Sequence, residues 1–523
     1  MMKRPSIRDL IERAYGAGGS TAAYTAAMAL DLVAVSREDE RPTDTSGLGI
    51  GKSVTILGAG IAGLVLAREL RRAGFSVRIL ESRGKVGGRV LTLRGGDVVE
   101  EVDSRQEVNW DQEDHLYFNA GAARIPQHHS AVVDLCRETN TPLEVVINDN
   151  RGAFFQDSSV FGGASKRSRS VINDIRGFVS ELAYKSVDAS LFDRELTNDD
   201  LARVRDLLRE FGALSPDGRY RGSSRIGFTE PLGAGHQDEY SFNSPLDFAD
   251  IVRSDFWRWK SYFGELLDSA ATILQPVGGM DALVRKLGEE VRPLTRLRSQ
   301  VTAISKAADH VHLQWLDLDE GETHEDTSDF VVCTLPFPIL SKIESDIDPE
   351  LKRLMTRVEY IDGGKVAFQS RRFWERDLGV YGGISWTADK NTQLWYPSHG
   401  IHKEKGIVLG AFTQYGPSSD WFAALTIEER IAMAQQGCER IHPGFQEEVD
   451  CGVAISWKKV PHSLCGWAHW EPDTRAEVYP AFLKPDDRIY FAGEHVSNMT
   501  GWQEGAIRSA YFTLTQLYRR VCA

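Results

Sequence analysis

Residues 53–90 read SVTILGAGIAGLVLARELRRAGFSVRILESRGKVGGRV, and the rest of the chain is organised around them. Val54 to Leu57 is an apolar run with the length of a buried parallel strand. Gly58, Gly60 and Gly63 follow at the spacing that turns a strand sharply into a helix. The first glycine permits the turn, the second lets backbone approach a pyrophosphate, and the third lets helix pack on strand. Ile61 to Ala73 reads as that helix, with Leu64, Ala67 and Leu70 inward and Gly74 as its stop. Its free N–H groups, in the turn Gly58, Ala59, Gly60, Ile61, Ala62 and Gly63, offset phosphate charge. Ser76 to Leu80 reads as a second strand that delivers Glu81 and Ser82, where a carboxylate accepts ribose hydroxyls. A lone GxGxxG is a weak signal. Here strand, glycines, helix, second strand and acid come in order, which predicts a dinucleotide site rather than an empty glycine turn.

Beyond Glu81, the residues Gly84, Gly87, Gly88 and Arg89 make a second glycine-rich turn with an embedded cation. At this point the chain resembles the flavin-containing amine oxidase superfamily, whose members carry such a GGR turn after the ribose acid. The resemblance implies FAD rather than NAD, with Arg89 and neighbouring amides at the pyrophosphate. It also implies FAD contacts from Ala122, Ala123, Arg124 and Val301.

The 523 residues suffice for a large core and for two or three lobes, and 42% hydrophobic with 10% aromatic residues describe a folded protein. A formal charge of -14 without a Lys/Arg cluster argues against a nucleic-acid partner. Six scattered cysteines lack metal or disulfide spacing and point to a reducing, cytoplasmic setting. The first fifty residues stand outside the nucleotide unit. Ser6–Tyr15 and Thr21–Val35 read as short helices, and their charges interrupt a signal-peptide core. No run of about 18 uncharged apolar residues is present, so no membrane span is expected.

Tyr117 to His129, YFNAGAARIPQHH, holds an arginine between small residues and a proline, in a fixed backbone. Residue chemistry alone leaves Arg124 as an ion-pair partner or as a fork for a substrate carboxylate. The segment resembles the Gly-x-x-Arg-hydrophobic-Pro turn of L-amino-acid oxidases, whose arginine clamps that carboxylate. His128 and His129, opening a helix at Ser130, read as capping or exposed residues. Gly95–Asn109 reads as a loop. Ile172–Ser186, Asp199–Phe211 and Phe248–Ala271 show helical spacing. By resemblance this helical insertion walls a funnel to the flavin and contributes to a homodimer. Phe256, Trp257, Trp259, Tyr262 and Phe263 read as core, with a secondary reading as side-chain pocket.

QPVGGMDALVRKL, from Gln275, resembles a turn that passes the flavin at Gly278, Gly279 and Met280. Phe330–Thr334 reads as a return strand of the nucleotide fold. Lys365, in GGKVAF, reads either as a snorkelling lysine or, by resemblance, as the lysine that holds a water at flavin N5 and assists reoxidation. Tyr396, in QLWYPSH, resembles the tyrosine that seconds the arginine, with Trp395 as the alternative. In SLCGWAHW, Trp467 holds the position where monoamine oxidases attach FAD through cysteine, and Cys465 lies two residues early. FAD is therefore expected to bind non-covalently. In FAGEHVSNMTGWQEGA, Gly493 turns, Glu494 meets ribityl or ribose oxygens, and a helix begins near Gln503 facing the flavin. By resemblance Trp502 packs on the substrate and the Gly501 carbonyl accepts from its amine.

The expected fold is mixed α/β: a Rossmann-like FAD domain (51–106, 275–345, 458–523), a sheet-based substrate domain (107–135, 258–274, 346–457), a helical domain (136–257) and an extension (1–50). The expected reaction converts an L-amino acid with a large or aromatic side chain, and O2, to 2-oxo acid, ammonia and hydrogen peroxide. Catalysis rests on positioning rather than on a protein base. An amino-acid 2-monooxygenase, an amine or polyamine oxidase, and a flavin-bound protein without turnover are the alternatives.

Overall fold

The computed structural model describes residues 41–43, 45–188, 196–230, 233–234, 240–413 and 416–523. The two N-terminal helices expected from sequence lie outside these residues. The opening strand forms over Ser53–Leu57, the helix over Ile61–Arg72 and the second strand over Ser76–Leu80. Strand Ser53–Leu57 pairs in parallel with both Ser76–Leu80 and Phe330–Cys333, and Phe330–Cys333 pairs with Ile489–Phe491. Thr295–Arg296 completes a five-stranded parallel sheet. Leu64, Leu66, Ala67 and Leu70 bury their side chains between this sheet, helix Asp281–Val291 and helix Gln503–Cys522. Four chain segments far apart in sequence thus build one nucleotide sheet.

A second sheet of seven strands runs Lys166–Arg167, Phe154–Gln156, Gly383–Thr387, Gln393–Tyr396, Lys405–Thr413, Gly364–Arg371, Val449–Ile455. Side chains alternate across it, so each face has its own core. Ala367, Leu409 and Phe412 face one cluster, while Val366, Phe368 and Tyr396 face another. A three-stranded sheet joins Ile125–Pro126, Ile273–Pro276 and Leu143–Val146, and it anchors the turn that carries Arg124.

Two local expectations change. Gly95–Asn109 is not a plain loop: Val98–Glu101 and Ser104–Glu107 pair as a hairpin, with Glu101 buried. The helix expected over Phe248–Ala271 stops at Arg253, and a 3-10 turn follows over Trp259–Glu265. The core reading of its aromatic residues holds for Phe256 and Phe263 but not for Trp257, Trp259 and Tyr262, which are exposed, because the segment is irregular and their spacing was not helical periodicity.

Candidate active site

The glycine turn is shaped by close approaches. Gly58 has φ +101°, and a Cβ on Gly63 would stand 2.0 Å from the Gly58 carbonyl oxygen. A Cβ on Gly60 would meet nothing within 4 Å, so backbone there borders open space. No side chain caps the helix that begins at Ile61, so its first N–H groups keep their hydrogen-bonding capacity. Glu81 is buried, and its carboxylate accepts from the amides of Ala59 (2.7 Å) and Arg83 (2.8 Å). Burial pushes its carboxyl above the ordinary range against those bonds. Gly60 and Gly87 form a β-bridge, which brings the two glycine turns together. Beside them lies a cavity of about 410 Å³ lined by Leu57, Leu80, Ser82, Val301 and Leu335. A carboxylate, free helix N–H groups, an open glycine cradle and an apolar cavity fit ribose, phosphates and an adenine ring.

The Glu494 carboxylate accepts from Arg89 Nη1 (2.7 Å), from the Ala468 amide (3.3 Å) and from the Gly501 amide (3.0 Å). It is a junction between protein segments. Arg89 also donates to the Gly466 carbonyl at 2.8 Å, and Glu494 holds its guanidinium well above the ordinary value against the cost of burial. Gly493 has φ +135° and precedes this junction. A Cβ on Gly501 would stand 3.0 Å from the Trp467 ring, so Trp467 and Gly501 are in contact. Ala122 and Ala123 lie half-buried in the turn before Arg124, where the Ala122 amide donates to the Arg89 carbonyl at 3.2 Å.

Arg124 reaches into an aromatic cage. Its guanidinium carbon lies 5.3 Å from the Phe263 ring, 5.1 Å from Trp395 and 5.9 Å from Trp502. Nη1 donates to Asn148 Oδ1 at 3.1 Å, and Nε is buried without a partner. Among the described residues no carboxylate forms an ion pair with it. Burial holds its pKa down to about 10, and the Asp268 charge opposes that shift.

Lys365 is buried in strand Gly364–Arg371 and does not snorkel. Its Nζ donates to the carbonyls of Asn119 (3.0 Å) and Gly121 (2.7 Å), just before the Arg124 turn. Burial first, and the Arg124 charge second, hold its pKa down to about 7. Two cations thus share one region, and among the described residues no neutralising carboxylate contacts either.

Tyr396 does not join Arg124. Strand alternation turns it to the opposite face of the sheet, where its hydroxyl lies 2.7 Å from Ser385 Oγ and 2.6 Å from His442 Nε2. Trp395, one position earlier, takes the face toward the guanidinium. Period-two reading from Lys365's neighbours was the available signal, but it required the pairing register to be known. His129 is neither exposed nor capping: it is 1% exposed, and its ring stands edge-on to Trp502 at 5.0 Å. Asp268, which contacts His128, was missed, as 140 residues separate them and nothing local marks it.

Residues 61–513 match the family described as flavin containing amine oxidoreductase. A flavin-dependent L-tryptophan oxidase of Lentzea aerocolonigenes is 28% identical over 490 residues, covering 88% of this chain and 96% of the relative. An L-amino-acid oxidase of Bothrops moojeni is 24% identical over 481 residues, covering 88% of each. Among solved structures, cyclohexylamine oxidase from Brevibacterium oxydans shares the fold with a TM-score of 0.60 at 15% identity, over 90% of this chain and all of that one. Among the described residues no helix is long and apolar enough to cross a membrane. The nucleotide cradle and a match over most of the sequence lead to one conclusion: the chain belongs to the flavin containing amine oxidoreductase family and is a flavin-dependent oxidoreductase.

Proposed function

We propose that the protein is an FAD-dependent L-amino-acid oxidase acting on substrates with a large or aromatic side chain. The observation that carries this reading is Arg124, a desolvated guanidinium with no carboxylate paired to it among the described residues and one N–H unpartnered. A cation buried that way is costly until an anion arrives. A substrate carboxylate supplies the anion and a bidentate partner. An amine or diamine substrate would add a further positive charge beside Arg124 and Lys365.

Arg124 holds the carboxylate, while Phe263, Trp395 and Trp502 exclude water and favour a flat apolar side chain. The Gly501 carbonyl accepts from the amine, and together these contacts aim the Cα–H bond. FAD, held non-covalently in the nucleotide cradle, would supply the electron sink for that hydrogen and the route of two electrons and two protons to O2, giving hydrogen peroxide. Lys365, able to gain or lose a proton near neutral pH, moves protons at Nζ during reoxidation. Water hydrolyses the released imino acid to the 2-oxo acid and ammonia. The relatives named for L-tryptophan and L-amino-acid oxidation support this substrate class.

Peroxide release measured across the common L-amino acids and putrescine tests the reading. The expected outcome is turnover of aromatic L-amino acids with 2-oxo acid as product. Amide product would assign a 2-monooxygenase, and turnover of putrescine alone would assign an amine oxidase. Six free thiols support a reducing, cytoplasmic setting. Val179, Leu182, Leu207 and Phe211, each more than half exposed on helices Ser168–Lys185 and Asn198–Gly212, support a homodimer through this insertion. A monomer mass in sedimentation would remove that element.

A further inference from the structure

His128, His129 and Asp268 bring one ligand atom each within 4.8 Å of one another, outside the roles assigned above. His128 Nε2 stands 2.9 Å from Asp268 Oδ1, and His129 Nε2 stands 3.7 Å from the same oxygen. The hydrogen bond from His128 leaves the second imidazole unserved. His129 is 1% exposed, and its Nε2 has no hydrogen-bond partner. A buried, unpartnered imidazole nitrogen aimed at a carboxylate marks the place of a missing ligand.

Two imidazoles and a carboxylate form a donor set for a divalent transition ion. Tetrahedral Zn²⁺ with ligand distances of about 2.0–2.1 Å separates its ligand atoms by about 3.3–3.5 Å. The two separations of 2.9 and 3.7 Å bracket that spacing. The side chains of His128 and Asp268 keep 24% and 20% exposure, which leaves a path for the ion and a water as fourth ligand. We propose that His128, His129 and Asp268 bind one divalent ion of the zinc type. It clamps the turn just after Arg124 to the segment before strand Ile273–Pro276, and through the His129 ring it braces Trp502. The proposal does not depend on which substrate the enzyme oxidises.

Untagged holoenzyme is loaded with ZnCl2 and desalted, and zinc is measured per flavin. One retained equivalent is expected in the wild type, with affinity at least about tenfold weaker in His129→Gln and Asp268→Asn. The exposed pair His310 and His312, with Nε2 atoms 2.8 Å apart, is the control, and H310A/H312A is expected to keep the equivalent. X-ray absorption on zinc-loaded wild type needs no variant to fold, and is expected to show two imidazole nitrogens and oxygen at about 2.0–2.2 Å. An all-oxygen shell, no retained zinc, or zinc lost in H310A/H312A but kept in Asp268→Asn overturns the proposal.

Discussion

At the scale of single residues, Arg124 is tested by replacing its fork and its charge separately. Arg124→Lys keeps a cation but loses bidentate geometry, and Arg124→Ala loses both. Removing one partner of a buried charged contact costs about 2–5 kcal/mol, or about 30-fold to several-thousand-fold in kcat/KM. Arg124→Ala is therefore expected to fall in that range with flavin content unchanged, whereas loss of flavin would point to a structural arginine. The neighbours Trp395 and Tyr396 separate cleanly. Trp395→Ala is expected to raise KM several-fold. Tyr396→Phe should leave KM alone and cost about 1–3 kcal/mol of stability, because Ser385 and His442 lose their shared partner. Lys365 predicts a pH dependence. Its ordinary value is 10.5 and burial holds it near about 7, so the unfolded chain binds more protons between those values. Its contribution to stability therefore rises with pH across about 7 to 10.5 and is smallest below that window. Denaturation midpoints of wild type should gain on Lys365→Met over that range; a pH-independent difference would show that the lysine titrates normally. Of these residues, Arg124 was legible only through resemblance to a family turn, and Tyr396 was misread because one position in a strand reverses the face. Asp268 was invisible, since its meaning exists only once Ile125–Pro126 and Ile273–Pro276 have paired.

At the scale of elements, the opening turn gives a paired test. Gly63→Ala would place a methyl 2.0 Å from the Gly58 carbonyl, so strand and helix must part and soluble protein is expected to be lost. Gly60→Ala meets no protein atom within 4 Å, so the chain should fold while the methyl occupies cofactor space. The expected product is a folded, colourless protein; a yellow one would show that no phosphate approaches that backbone. This unit was readable because strand, turn and helix are contiguous and each obeys a local rule. The hairpin Val98–Glu101 with Ser104–Glu107 was not, as its sequence is polar and lacks alternation of apolar residues. The segment after Arg253 misled for the opposite reason: its many aromatics satisfy any period.

At the scale of the whole molecule, the nucleotide region and the seven-stranded sheet are tied by a buried ion pair. Arg430 Nη1 donates to Glu101 at 2.7 and 2.9 Å, both side chains are 1% exposed, and the Ser456 amide joins them at 2.7 Å. The arginine's remaining donors reach the carbonyls of Phe422 and Ala423 at 3.0 Å. Glu101→Ala strands that guanidinium and is expected to cost about 3–5 kcal/mol, seen as a lower thermal midpoint. A shift within error would mean that water replaces the carboxylate. The junction at Glu494 works inside the nucleotide region, where one carboxylate grips both the arginine of the second glycine turn and the amide of Gly501. On the proposed reading coenzyme and amino acid therefore share a fulcrum: whatever steadies Arg89 also steadies the peptide assigned to the amine. Loading should be sequential, with the yellow form retaining an aromatic carboxylate inhibitor through gel filtration and the bleached, flavin-stripped form letting it go.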